Sequence, residues 1–417
     1  MDDVSSYTDI TCTEGPLVPV LHAATTRVDI EGTQVGLADI AELYALFTQV
    51  TDPRRPRGVR HGIATVLTVM VLVVLAGARN FREAGDQGAD LPALLLRAAR
   101  ARRDPRTGAL VAPSGSTLRR VVENIDADAA DLLVCQWVAA RVRRQHDTDS
   151  VAGRRHGIAM DGKTVRRSGA GDPDVNVQLF SAMLHDQAVV IAQIRVPGDT
   201  NEITQVEPLL DQVDLAGAVI TGDAAHTQTG TARYICQRGG DYVLTLKANQ
   251  PTLLGSVAAK LFAATDADHH LEVDHSHGRR VHRQIWTTSA EGIDFPGAAQ
   301  IFRIRRDVFD AVGERISKEI VHGITSLDAR EATAEAVAAW VRQHWGVENK
   351  IHWVRDVVFA EDHQNAYLGA AAHGMALFRN LAIGLIRLAG HTQIKRTVQR
   401  IAADRTRILP LLAASRP

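Results

Sequence analysis

Residues 156–161 read HGIAMD and residues 215–226 read LAGAVITGDAAH. In each, a short apolar run with the length of a buried strand stops on a carboxylate, first Asp161 and then Asp223. GIAMD (157–161), VQLFSAML (177–184) and AVVIAQIRV (188–196) are three β-rich runs separated by polar or turn-forming segments, which predicts an antiparallel meander. A helix is expected over 201–213, opened by Asn201 and Glu202 and perturbed near Pro208. GAVITGD (217–223) then reads as a strand, Thr227 to Gln237 as a helix and YVLTLK (242–247) as another strand. Strands that alternate with helices pair in parallel. Three antiparallel strands followed by strand–helix units is the order of a ribonuclease-H-like mixed sheet, an α/β fold.

Working outward, residues 271–326 revert to short strands, RQIWTTS, QIFRIRRDVF and ISKEIVHGITS, and read as a β-rich insertion. Helix is expected from Ala329 to about Asp356 and again from Tyr367 to Leu388. Upstream, Ile63 to Ala78 is apolar throughout. At 16 residues it falls short of the roughly 20 that span a bilayer, so a wholly buried helix is expected and no membrane contact. Ser116 is placed to cap a helix carrying Leu118, Val121, Val122 and Ile125, and another helix is expected from Ala127 to Arg144. The chain therefore divides into a polar leader (1–38), a helical segment without strands (39–150), a mixed-sheet segment with the β-rich insertion (151–390) and a C-terminal tail (391–417).

The chain has 417 residues, 45% of them hydrophobic and 23% charged, with a formal net charge of −1. That balance leaves ample apolar mass for a core and gives no global pull toward a polyanion. Its distribution is less even. Arginines recur between Arg97 and Arg155, among them Arg119, Arg120, Arg141, Arg143 and Arg144. A planar guanidinium suits phosphate. Three cysteines are too few and too scattered for a disulfide framework or a zinc site, and a reducing cytoplasm fits. The sequence contains no glycine-rich phosphate loop, no HExxH and no GxSxG.

The third acid of interest is Glu348. On a regular helix Trp345, Glu348, His352 and Arg355 fall at i, i+3, i+7 and i+10 and share one face. Two strand-end aspartates and a helical glutamate can converge on one point, and carboxylates so gathered hold the hard divalent cations that phosphodiester chemistry uses. Asp223 has an alternative reading as the residue that opens the following helix. Lys163, two positions beyond Asp161, points to the same face of its strand. His226, Lys247, Asn249 and Gln250 fall just past strand ends, where parallel sheets bind ligands.

At this point AMDGKTVRRSG (159–169), PGDTNEITQVEPLL (197–210), AVITGDAAHTQTGTARYI (218–235), DYVLTLKANQPTL (241–253) and RQHWGVENKIHWVRDVVFAED (342–362) resemble the blocks of insertion-sequence transposases with a DDE triad, in the correct order. The kin that these blocks most resemble are the H-repeat-associated group, and residues 52–81 resemble that group's helical associated domain. The resemblance puts Asp161, Asp223 and Glu348 at the triad positions. It implies DNA cleavage and strand transfer at element ends, with two Mg²⁺ ions (Mn²⁺ substituting) about 3.5–4 Å apart. Asp161 would bridge the ions, with Asp223 on one and Glu348 on the other. Lys163, His226, Lys247, Asn249, Gln250, Arg342, Trp345, His352 and Arg355 are expected to meet DNA. The superfamily often places a tyrosine before the glutamate and a lysine seven positions after it; here Trp340 and Trp345 are the nearby aromatics and Arg355 takes the later position. Double-stranded DNA is the expected partner, with a homodimer when two ends are synapsed. The alternatives are a transposase-derived DNA-binding protein that no longer cuts, and a metal-dependent nuclease that never joins strands.

Overall fold

The computed structural model describes residues 34–57, 59–148, 155–169, 176–276 and 278–416. Most of the leader and the boundary near residue 150 lie outside these residues.

The segment before the sheet is mostly helical, with α1 over residues 34–47, α2 (Ile63–Leu75), α3 (Phe81–Ala89), α4 (Ala93–Ala98), α5 (Gly115–Val122) and α6 (Ala127–Thr148). It is not strand-free, as the sequence suggested. Arg102–Arg103 (β1) and Leu110–Val111 (β2) pair as a small antiparallel ribbon around a turn that Asp104 closes through the backbone N–H groups of Arg106 and Thr107. The cap of α5 is Ser114 rather than Ser116. Every residue of α2 is buried, as its uninterrupted apolar run predicts, and no described helix is long and apolar enough to cross a membrane. Arg141 is not a phosphate ligand. It is fully buried, with its guanidinium on Asp39 and Glu42 and over the Trp137 ring.

The remaining strands are β3 (His156–Val165), β4 (Val177–Leu184), β5 (Val189–Val196), β6 (Ala218–Gly222), β7 (Asp241–Leu246), β8 (Asp268–Ser276), β9 (Arg279–Ser289), β10 (Gln300–Phe309) and β11 (Arg315–Thr325). They form one nine-stranded mixed sheet in the order β5-β4-β3-β6-β7-β11-β10-β9-β8. The expected antiparallel meander is β3-β4-β5, and β6 and β7 continue from β3 in parallel. The insertion is not a separate body. β11 pairs antiparallel with β7, so the four inserted strands prolong the same sheet. Sequence reading found three of them; β8, DHHLEVDHS, is a polar edge strand whose Leu271 and Val273 are exposed.

The expected helix over 201–213 is shorter, a 3-10 turn (Glu202–Gln205) capped by the Asn201 side chain and followed by α7 (Val206–Leu210). The long helix α12 (Ala371–Leu388) packs on β5 and on α2 and α6, so one apolar core runs from the N-terminal helices into the sheet. A buried polar network crosses the same seam. Asp131 of α6 accepts hydrogen bonds from Gln193 and His373, and Gln193 Oε1 accepts from Ser181 of β4 and Asn380 of α12. Residues after 390 are not a loose tail. They form α13 (Ile394–Ala403) and α14 (Ile408–Ala414), which bury Ile394, Val398, Ile401, Leu411 and Leu412.

Candidate active site

β3 and β6 are paired from His156 opposite Ala218 to Ala159 opposite Thr221. Two residues later on each strand stand Asp161 and Asp223. β6 ends at Gly222 and the chain turns away at Asp223. β3 does not stop at Asp161 as expected; it continues to Val165 because β4 remains its partner, with Asp161 opposite Ser181. Asp161 therefore sits just past the last β3 residue paired with β6 while it is still paired with β4. The Asp223 Oδ1 accepts from the Ala225 N–H at 2.9 Å and closes a turn. It does not open the next helix, since α8 (Thr229–Gln237) begins after Gln228.

The third acid arrives on an interrupted helix. α10 (Ala334–His344) is capped by the Thr333 hydroxyl, and a π-helical turn over Glu348–His352 leads into α11 (Trp353–Val358). A π-turn admits an extra residue per turn, so the predicted common face does not form. Trp345 is 60% exposed, His352 is buried and Arg355 is fully buried. The turn carries Glu348 and His352 onto Asp161. The His352 Nδ1 donates to Glu348 Oε2 at 3.1 Å and lies 3.5 Å from Asp161 Oδ2. One ligand atom from each of these three residues falls within 4.8 Å of the others.

The electrostatics are those of a site short of positive charge. Burial pushes the Asp161 carboxyl up to about 6, the Glu202 and Glu348 carboxylates add to the rise, and His352 opposes it. The hydrogen bond from His352 holds Glu348 below its ordinary value against the effect of burial.

Glu202 is the acid that sequence reading left out of the site. Its 3-10 turn folds back over β3 so closely that a methyl group at Gly162 would overlap the Glu202 carboxylate. A larger residue after Asp161 would therefore have to displace the Glu202 carboxylate. The Glu202 Oε2 is 3.3 Å from His226 Nε2, and the same nitrogen is 3.8 Å from Asp223 Oδ1. Glu202 thus stands over the residue after Asp161 and reaches Asp223 through His226, whereas Asp161 and Glu348 share one cluster directly. The available signal was the Asn201 cap, which fixes Glu202 at the first position of its turn.

Comparison with known proteins bears on what this cluster is. The family model described as Transposase DDE domain matches residues 152–385, which is 234 of 417 residues and holds Asp161, Glu202, Asp223 and Glu348. The chain belongs to the DDE transposase family. A second model, DDE_Tnp_1-associated, matches residues 44–138. Relatives include "Putative transposase YncI" of Escherichia coli O157:H7, 28% identical over 90% of this chain and 95% of that one. Another is "H repeat-associated putative transposase YhhI" of Escherichia coli K12, 27% identical over 90% of this chain and 99% of that one. The resemblance to the H-repeat-associated group is thereby established. Among solved structures, a piggyBac transposase synaptic complex with hairpin DNA matches 91% of this chain and 80% of its own with 9% identity and a TM-score of 0.39, too low to support any argument here.

DDE transposase membership implies a divalent metal, and the donor set fits one. Asp161 is a carboxylate made reluctant to ionise by burial, with two neighbouring acids adding to the effect, and the oxygen-rich set of Asp161 and Glu348 is what a hard cation takes. Behind the acids, Thr221 ties the two halves of the site. Its hydroxyl is 2.9 Å from His185 Nε2 and 3.1 Å from His344 Nδ1, and His185 Nδ1 reaches Gln343 Oε1 at 3.1 Å. Burial brings both imidazoles down to about 4, so they are neutral and fasten α10 to β6.

The remaining expected DNA contacts divide. Arg355 is not available: its guanidinium is buried against Glu361, which also pairs with Arg379. His226 and His352 are buried and face the acids rather than solvent. Arg342 pairs with Glu272 of β8, and Lys163 donates to Asp356 at 2.7 Å. Asn249 and Gln250 donate to the carbonyls of Ala224 and Thr227, which laces the loop after β7 to the one after β6. Lys247 is exposed on that rim, and Trp345 is exposed three residues before Glu348.

Proposed function

We propose that this transposase cleaves DNA at the ends of an insertion sequence and transfers the strands to a target, with Asp161, Asp223 and Glu348 as its metal-holding residues and Mg²⁺, or Mn²⁺ in its place, as the ion. The observation that carries this reading is the meeting of Asp161 with Glu348 beside His352, at the open edge where Asp223 ends the adjacent parallel strand. The strand order supports a ribonuclease-H-like catalytic segment over about 151–390, and the helices of 39–150 are proposed to grip the DNA ends. Synapsis of two ends calls for two copies of the chain.

When bound there, the ions lower the pKa of the attacking water or DNA 3′-hydroxyl and neutralise the leaving oxygen. The chain's own part is positional. Asp161 is held at the sheet opening by β4, Glu348 by the π-turn, and Asp223 by its own turn and by His226. His352 keeps Glu348 ionised through its Nδ1 hydrogen bond. Lys247 is free on the rim to meet a phosphate. Water attacks phosphorus, the bond to the 3′ oxygen breaks, and that oxygen leaves as a hydroxyl; in the second step the hydroxyl attacks target phosphorus and another P–O bond breaks.

Linear DNA carrying the ends of the element that encodes the chain, incubated with the protein and Mg²⁺, is expected to give strand breaks at the element boundary and joined products on a sequencing gel. DNA that is bound but left intact in both Mg²⁺ and Mn²⁺ would contradict the reading and favour a DNA-binding protein that no longer cuts.

A further inference from the structure

The π-turn has a second side. Glu348 and His352 face Asp161, while Asn349, Lys350 and Trp353 line a cavity of about 770 Å³ closed by the β4–β5 turn and by α13. Its wall holds four permanent cations, Lys350, Arg387, Lys395 and Arg396, against one carboxylate, Asp186. Four cations against one carboxylate leave this wall with an excess of positive charge. Arg387 is built into place: it donates to the Lys350 carbonyl at 2.8 Å, and its buried Nε has no hydrogen-bond partner among the described residues. Lys395 and Arg396 stand exposed on α13, whose opposite face is buried through Ile394, Val398 and Ile401. Trp353 leaves 54% of its surface in solvent at the mouth. A wall in which cations outnumber carboxylates attracts a polyanion, and an exposed indole beside a cationic groove is a platform on which an unpaired base stacks.

We propose that this groove carries the DNA strand that leaves the acid cluster, with Lys350, Arg387, Lys395 and Arg396 on its phosphates and Trp353 stacked on an unpaired base. The inference rests on the transposase reading, because the strand in the groove is the continuation of the one at the acids. Both are reached from a single five-residue turn, with the acids on one side of it and the cationic groove on the other.

The test is fluorescence anisotropy of element-end DNA, in EDTA so that no cleavage intervenes, on the full chain and on two variants. Lys395→Glu with Arg396→Glu is expected to weaken binding about tenfold or more at low salt and to reduce the slope of log K against log salt by about 2. Trp353→Ala is expected to weaken binding to ends with an unpaired flank by about tenfold while leaving fully paired ends nearly unchanged. All three substitutions are at exposed positions, and unchanged melting curves verify the fold. Wild-type affinity and salt slope retained in the double variant overturn the groove. So does equal loss of paired and unpaired ends in Trp353→Ala. Displacement of the DNA by millimolar inorganic phosphate, which would mark a small-anion pocket, also overturns it. A wild-type chain that binds none of these DNAs overturns the transposase reading along with it.

Discussion

Replacing Asp161 with Asn is expected to abolish strand cleavage, by about a thousandfold or more, while making the metal-free protein more stable. The two effects have one cause. The Asp161 carboxyl is held at about 6 rather than 3.8, so the folded chain keeps a proton that the unfolded chain gives up between those values. The favourable contribution of that proton is present below about pH 4 and is lost as pH rises through 6. Ionised Asp161 therefore costs up to about 3 kcal/mol at neutral pH. Asn removes the cost together with the ligand. Denaturant midpoints in EDTA should rise in Asp161→Asn at pH 7.5 and stay near wild type at pH 4. Mg²⁺ should stabilise the wild type and not the variant, and binding of element ends should persist. A variant that loses end binding and stability together with cleavage would make Asp161 a folding residue.

The largest loss of stability is expected from Glu361→Gln. Glu361 is fully buried with Arg355 and Arg379, and neither its carboxylate nor their guanidinium groups reach solvent. Burial alone would raise its pKa, but the two arginines overcome that and hold it at about 2. Gln keeps the shape and removes the charge, which leaves two buried cations without a counter-ion, at a cost of about 3–5 kcal/mol. The contribution of Glu361 is present above about pH 4.5 and is lost as pH falls toward 2, so acid should narrow the gap between wild type and variant. Urea denaturation at pH 7 and pH 3 checks both statements. Equal stability at pH 7 would mean that the two arginines find other partners. Because Arg355 anchors α11 behind the π-turn, Mg²⁺ affinity should fall in the same variant.

Much of the site was legible because burial dictates it. GIAMD and AVITGD are strands that must lie inside, and a carboxylate at the edge of such a strand needs a purpose. What sequence could not show was pairing: Asp161 lies in the middle of one ladder and past the end of another, and only the partners β4 and β6 distinguish the two. The π-turn was hidden for a related reason. Its residues have ordinary helical character, and the added residue that turns His352 inward and buries Arg355 comes from packing. Glu202 reads from sequence as a helix-opening polar residue rather than an acid of the metal site, because it lies 41 positions from Asp161 and looks like a solvated first-turn acid. β8 escaped notice because its polar residues fall on both faces, as an edge strand permits. The C-terminal helices did carry a signal in Ile394, Val398 and Ile401, spaced at i, i+4 and i+7.

The central claim is that Asp161, Asp223 and Glu348 together hold the catalytic cations. Anomalous diffraction from crystals soaked in Mn²⁺ tests it most directly. Density bonded to the Asp161 carboxylate, with Glu348 on one side and Asp223 on the other, is the predicted result. Saturating Mn²⁺ that leaves these three carboxylates bare would contradict it.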